Sequence, residues 1–395
     1  MAGVTKHIYL RQIQDIKSMW KNQIKTVKPL LPCEYNEKDI ISLIKEFYPH
    51  EWKYVQDLSE YYEIKDRSIK KHHSKCRYNM PTPDELIKDV GIYKNLLSYD
   101  SKRRHKETFS VELQETERKK LSKKRKPKIE KINNKIIKAE RKTQKMTPAY
   151  IDKIIGLYSR KNTSQKDRCY LLLELKKYYN KVVIRFFFKL NDTELNRQLR
   201  TEAFEYLQSL GYRPRLRKQK YMQCHAGNTK RKEYLKKIYA KQTYSISGTP
   251  EELEYRIYNS KEQVLKEYDY FISHSSKDHD AVQTLIEAEN RLHKDVFCDW
   301  INDSDYLKRH LLCEATLNVI ETRLKQSKAL IYVKSENAEK SIWCEYELNY
   351  FAALGRPIFI IGKDCILNKK FDLELLPSDN IESLVCREDL LEIIK

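Results

Sequence analysis

The stretch YDYFISHSSKD at residues 268–278 runs apolar through Phe271 and Ile272 and turns polar within two residues. That is how a buried strand ends in a loop that opens a helix. Toward the carboxy terminus the pattern recurs in VFCDW (296–300), ALIYVKS (329–335) and PIFIIG (357–362), with helical spacing between them near 277–293, 313–326 and 341–354. Strands and helices alternating at these lengths predict an α/β domain, a flavodoxin-like doubly wound parallel sheet with helices on both faces. Toward the amino terminus the apolar spacing is helical, so a mainly α-helical N-terminal region is expected.

The helical stretch SIWCEYELNYF (341–351) sets Trp343 and Glu347 four residues apart. One turn of helix stacks the aromatic plane beside the carboxylate on one face, near the carboxyl ends of the strands, where such sheets bind ligands. Glu345 is rotated about 200° from Glu347 and points elsewhere. The loop that closes strand 268–273 brings His274, Ser275, Ser276 and Lys277 to the same edge. Serines and amides at a helix start can receive phosphate or ribose, though helix capping alone explains the same letters. A GxGxxG or P-loop signature is absent from the chain, which argues against a dehydrogenase or a nucleoside triphosphatase.

The order and motifs of residues 267–395 resemble a Toll/interleukin-1 receptor (TIR) domain, above all the prokaryotic and plant kinds. YDYFISHSSKD is similar to the family's first strand and loop, VFCDW to its second strand, and ALIYVKSENAEKSIWCEYEL to its third strand and following helix. The resemblance implies an NAD+ glycohydrolase or cyclase that breaks the nicotinamide glycosidic bond. It implies Glu347 as catalytic residue, Trp343 stacked on the cationic ring, His274, Ser275, Ser276 and Lys277 at the dinucleotide, and self-association through the domain. NAD+ is then substrate and no cofactor is expected. The family's arginines are missing from the loop, so His274 or Lys277 must supply positive charge. The segment INDSDYLKRH (301–310) corresponds to the family's assembly loop but lacks its Gly and Pro. For a bacterial protein of this layout the resemblance suggests anti-phage defence. A TIR module without chemistry, or a nucleic-acid-binding signalling protein, is the alternative.

With 395 residues the chain has room for several domains, and its net charge of +21 is unevenly spread. Residues 267–395 carry 16 Lys+Arg against 24 Asp+Glu, a net −8, leaving +29 on the rest. A basic front and an acidic back imply a polyanionic partner for the front or electrostatic docking between the parts. The expected division is 1–100 helical, 101–146 a basic helical connector, 147–266 a helical basic domain with a linker helix, and 267–395 the α/β domain.

Within the first part, LSEYYEIKDRSIKKHH (58–73) has helix-turn-helix spacing, which would aim Lys65, Arg67, Lys70 and Lys71 at phosphates, with Glu63 where a turn favours glycine. Two amphipathic helices of a bundle explain the same spacing. The Lys-dense run 102–145 keeps isoleucines at helical intervals, so a long exposed helix is expected, broken near Pro127. Thr147 and Pro148 are expected to open the next helix, Gly211 to close a later one, and Thr249 to cap the linker helix. Tyr212, Tyr221, Tyr234 and Tyr239 lie among Arg and Lys, an arrangement that suits either single-stranded nucleic acid or ordinary packing.

Nine cysteines without a CxxC spacing read as reduced thiols of a cytoplasmic protein. His72, His73 and Cys76 lack a second ligand pair, so no metal is expected. Neither a signal-peptide core nor an apolar run of membrane-spanning length occurs, so no membrane is expected as partner.

Overall fold

In the computed structural model the described residues are 4–216, 222, 224, 226–308, 311–377, 381 and 385–394. Tyr221, Arg309 and His310 fall outside them, as does the side chain of His73. The chain forms two compact units, Met1–Ile136 with Gly211–Arg213, and Ile137–Leu210 with Pro214–Lys395.

The first unit is helical. Helix α1 (Val4–Val27), α2 (Glu37–Phe47) and α3 (Pro49–His73) bury Ile16, Trp20, Ile24, Ile40, Ile44 and Val55 in one core. Asn36 caps α2 in a capping box with Asp39, and Pro49 occupies the first turn of α3. The expected helix-turn-helix is corrected here: α3 runs unbroken through Glu63. Glu63 is a good helix former, it pairs with Arg67 at 2.6 Å one turn on, and nothing at this point rewards a left-handed turn. Helix α4 (Val111–Glu140) is the long basic helix, with Leu121 as its buried residue. It does not break at Pro127, which is exposed, so water can satisfy the carbonyl that a proline leaves without an amide.

The second unit takes in both helical and α/β residues, across the boundary expected at 266/267. Its helical layer holds α5 (Ile151–Ser159), α6 (Gln165–Lys176), α7 (Lys181–Thr193), α8 (Arg197–Ser209) and α9 (Pro250–Asn259). Helix α5 starts at Ile151 rather than at Pro148, while Gly211, at φ +85°, follows α8 in the left-handed conformation. Thr249 caps α9, accepting from the Glu252 amide. This helix is more than a linker, since its Leu253 and Ile257 pack with Tyr170, Tyr306 and Val319.

The sheet has the order β2-β1-β3-β4-β5, from β1 (Tyr268–Ser273), β2 (Val296–Phe297), β3 (Ser327–Lys334), β4 (Ile358–Gly362) and β5 (Glu374–Leu376). The first four are parallel; β5 is an antiparallel edge strand that the sequence reading did not foresee. In the register Phe271↔Leu330 and Ile272↔Ile331, alternate side chains enter opposite faces. Helix α10 (His279–Arg291) covers the Ile272, Val296 and Ile331 face. Helices α11 (Glu314–Lys325) and α12 (Ile342–Ala353) cover the face of Phe271, Leu330 and Tyr332.

A buried polar network joins the helical layer to this sheet. Asp303 and Arg323, both fully buried, pair at 2.8 Å, and Lys177 lies 3.5 Å from Asp303 and 2.9 Å from Glu174. Lys266 reaches Glu174 at 2.6 Å, and Arg323 donates to Gln263 Oε1 at 2.8 Å. Gln144 lies along the edge strand: its Nε2 donates to the Val296 carbonyl at 2.6 Å, and its Oε1 accepts from the Val296 amide at 3.3 Å. All nine cysteines are free, and no helix among the described residues is long and apolar enough to cross a membrane.

Candidate active site

β1 ends at Ser273 beside its neighbours β2 and β3, and the loop beyond it forms one wall of a cleft of about 200 Å³. Helix α12 forms another, because Ser341 caps it through the Cys344 amide and the Trp343 and Glu347 positions then face the strand ends. The two walls meet in one contact: the Ser273 hydroxyl donates to Glu347 Oε2 at 2.6 Å, across 74 residues of sequence.

Burial pushes the Glu347 carboxyl up to about 8, the negative charge of Asp299 adds to this, and the Ser273 hydrogen bond opposes it. Such a group changes protonation near neutral pH, in a cleft, which is where chemistry is found more often than structural pairing. Trp343 is half-buried, its ring packed against the apolar face behind α12 and its edge in the cleft.

The structure brings His274, Ser275 and Ser276 into the same lining. His274 is turned inward, with Nδ1 3.0 Å from the Ile272 carbonyl. Ser275 accepts from the Lys277 amide at 3.4 Å and so opens the short turn Ser276–Asp278. Lys277 itself is exposed and outside the lining, whereas Lys308, from the loop after β2, is within it. Asp299 and Phe297 also line the cleft. Lys308 and Asp299 were missed in the sequence reading; the Asp299 signal was present in VFCDW, where an acid follows directly on a strand end. Asp278 stands behind the loop, fully buried, held by Lys363 at 2.8 Å, Asn337 at 2.9 Å and Ser335. Burial alone would raise its carboxyl, yet the hydrogen bonds from Lys363, Ser335 and Asn337 hold it below the usual range.

The four candidate phosphate contacts lie in the first unit on α3. Lys65 sits over the Tyr61 ring at 4.3 Å, Arg67 is paired with Glu63, and Lys70 and Lys71 are exposed.

Residues 271–364 match the family model described as Thoeris protein ThsB, TIR-like domain. The chain is 35% identical over 362 residues, 92% of each chain, to a Cytobacillus dafuensis protein named as a cyclic ADP-D-ribose synthase, TIR2. The chain belongs to the TIR-containing Thoeris ThsB-like family. It is also 31% identical, over 107 residues, to a Bacillus cereus (strain MSX-D12) protein named as a 3′ cyclic ADP-D-ribose synthase, ThsB′; this covers 27% of the present chain and 53% of the other. No solved structure matches. Because the first similarity spans 92% of the chain, this ThsB-like protein shares its helical region, and not the TIR domain alone, with that relative.

Proposed function

We propose that this protein consumes NAD+ in anti-phage defence, with Glu347 breaking the nicotinamide–ribose bond and the remaining ADP-ribose closing on itself. The observation that carries the reading is the half-buried Glu347 carboxyl in the strand-end cleft, held by Ser273. The names of the two relatives support cyclisation over simple hydrolysis.

The pyridinium ring of NAD+ already bears positive charge and leaves neutral with the bonding electron pair, so no general acid is required. Positive charge develops on the ribose, and a carboxylate beside it stabilises that transition state. A hydroxyl of the same molecule then attacks the anomeric carbon, and its proton passes to Glu347, whose pKa of about 8 suits a base at neutral pH. At about 200 Å³ the cleft is below the roughly 300–1,000 Å³ of typical ligand sites, so it takes the nicotinamide end while the rest of the dinucleotide crosses the rim. Trp343 stacks on the departing ring. His274, Ser275, Ser276 and Lys308 face the neighbouring ribose and phosphates, and Lys277 acts from the rim.

The basic helical region acts as sensor or assembly element, and copies associate through the TIR domain. The exposed lysines of α4 support an anionic partner such as nucleic acid for that region. The test is NAD+ turnover followed by chromatography of the products. Glu347→Gln lowers turnover by about 10²–10³-fold without unfolding the protein, and the parent yields cyclic over linear ADP-ribose. Equal turnover in parent and variant overturns the assignment and leaves a TIR module that recruits without chemistry.

A further inference from the structure

Three side chains of different chemistry converge at the cleft, His274 and Asp299 in its lining and Cys298 fully buried, without a role in the reaction above that requires their convergence. His274 Nε2 lies 3.9 Å from Cys298 Sγ and 3.8 Å from Asp299 Oδ1, and Cys298 Sγ lies 3.9 Å from Asp299 Oδ1. The triangle is nearly equilateral. The in-plane centre is about 2.2 Å from each corner and a tetrahedral centre lifted out of the plane about 2.4 Å, against metal-ligand bonds of about 2.0–2.3 Å for nitrogen, oxygen and sulfur on zinc, so closing the triangle by about 0.2 Å completes the site.

The orientation of the imidazole is a second, independent observation. Its Nδ1 is 3.0 Å from the Ile272 carbonyl, so in the neutral ring Nδ1 carries the proton and the Nε2 lone pair points into the triangle. Metal-ligating histidines are held in this way by their other nitrogen. Asp299 is fixed too, since its Oδ1 accepts from the Trp300 amide at 2.8 Å. The Cys298 amide is tied to Asn302 Oδ1 at 2.9 Å, which sets the thiol's position. Access comes from Asp299, whose side chain is 54% exposed while that of His274 is 6% exposed.

We infer that His274, Cys298 and Asp299 form a site for a thiophilic divalent metal of the zinc class, and that filling it shuts the cleft to substrate. Binding converts the Cys298 thiol to thiolate and releases its proton to solvent; no electron is transferred. The three donors leave a fourth position of a tetrahedral site open toward the cleft. A cation there takes His274 away from substrate and, balanced by the Cys298 thiolate and the Asp299 carboxylate, cancels the negative charge that Asp299 otherwise sets beside the cationic ring. The inhibitory half rests on the NAD+ reading of the cleft; the metal-binding half does not.

The experiment uses the full chain, stripped of metal and titrated with Co²⁺ as spectroscopic probe, then assayed with Zn²⁺. The parent gains a near-ultraviolet thiolate-to-cobalt charge-transfer band that Cys298→Ala lacks. Cys298→Ser serves as second variant in case alanine loosens the packing, and it also lacks the band. Micromolar Zn²⁺ lowers parent NAD+ turnover by about tenfold or more, while Cys298→Ala keeps its basal turnover and changes by less than about twofold. An identical cobalt spectrum in parent and both variants overturns the site whatever happens to turnover. A Cys298-dependent band without zinc inhibition overturns the inhibitory half. If the metal-free parent does not turn over NAD+, the reading of the cleft fails and the band still decides the metal site.

Discussion

Glu347 and Ser273 form a pair whose behaviour with pH can be worked out from burial and one hydrogen bond. On the proposed reading the carboxylate is the working form, so kcat/KM for NAD+ is expected to rise with pH and level off above about 8 in a pH–rate profile. Ser273 donates to the charged form and holds the pKa down. Ser273→Ala therefore moves the rising limb to higher pH and lowers kcat/KM at pH 7 by about tenfold, the value of a hydrogen bond to a charged group. Stability runs the other way. The folded pKa lies above the unfolded 4.5, so the fold favours the protonated acid; that contribution is complete below 4.5 and is lost as pH rises through 8. Glu347→Gln keeps the shape without the charge, so it should be more stable than the parent at pH 9 by on the order of 2 kcal/mol and melt higher, with little difference at pH 5. Equal melting points at pH 9 would remove the case for a carboxyl strained by burial.

At the scale of elements, the strand-helix order was legible because β1, β3 and β4 are apolar runs bounded by polar turns, a signal that needs no tertiary partner. β5 was not, because it has three residues and two of them are exposed. The error at 58–73 has the same origin: spacing shows which residues share a face, but not whether the backbone turns between them. Within the site, Trp343, Glu347 and the loop 274–276 were legible as compact motifs. Ser273 as the partner of Glu347 was not, because the strand that carries it is joined to α12 by packing and not by spacing. The loop after β2 corresponds by resemblance to the family's assembly loop but lacks its Gly and Pro; two of its residues are anchored inside the second unit, Tyr306 at 0% exposure and Asp303 on Arg323 and Lys177. Arg323, Lys177 and Lys266 hold the Asp303 carboxyl far below the carboxylate range despite burial. Asp303→Asn leaves the Arg323 guanidinium buried without its counter-ion, and a loss of about 3–5 kcal/mol is expected in urea unfolding. A loss below about 1 kcal/mol would mean that water enters the network.

At the scale of the molecule, the helical layer completes the α/β domain. β2 is two residues long and lies at an open edge, and Gln144 supplies both a donor and an acceptor to Val296 there. Tyr150 donates to Asp295 Oδ2 at 2.7 Å; burial raises that carboxyl to about 8, and the Tyr150 hydrogen bond opposes the rise. Glu174 and Lys177 come from the layer, Asp303 and Arg323 from the α/β side, and the Lys177–Asp303 ion pair at 3.5 Å crosses between them, so removing the layer takes one counter-ion from Asp303 and leaves it paired with Arg323 alone. The boundary expected at 266/267 therefore falls inside one compact unit. Residues 137–395 should express as a monodisperse protein that unfolds in one cooperative transition, because they contain the whole second unit. Residues 267–395 alone should aggregate or melt at least about 10 °C lower, having lost several interactions each worth on the order of 1–3 kcal/mol. A 267–395 fragment that melts within a few degrees of 137–395 would show that the layer is a passenger, and the proposed control of the cleft by the helical region would then have to act through something other than this shared core.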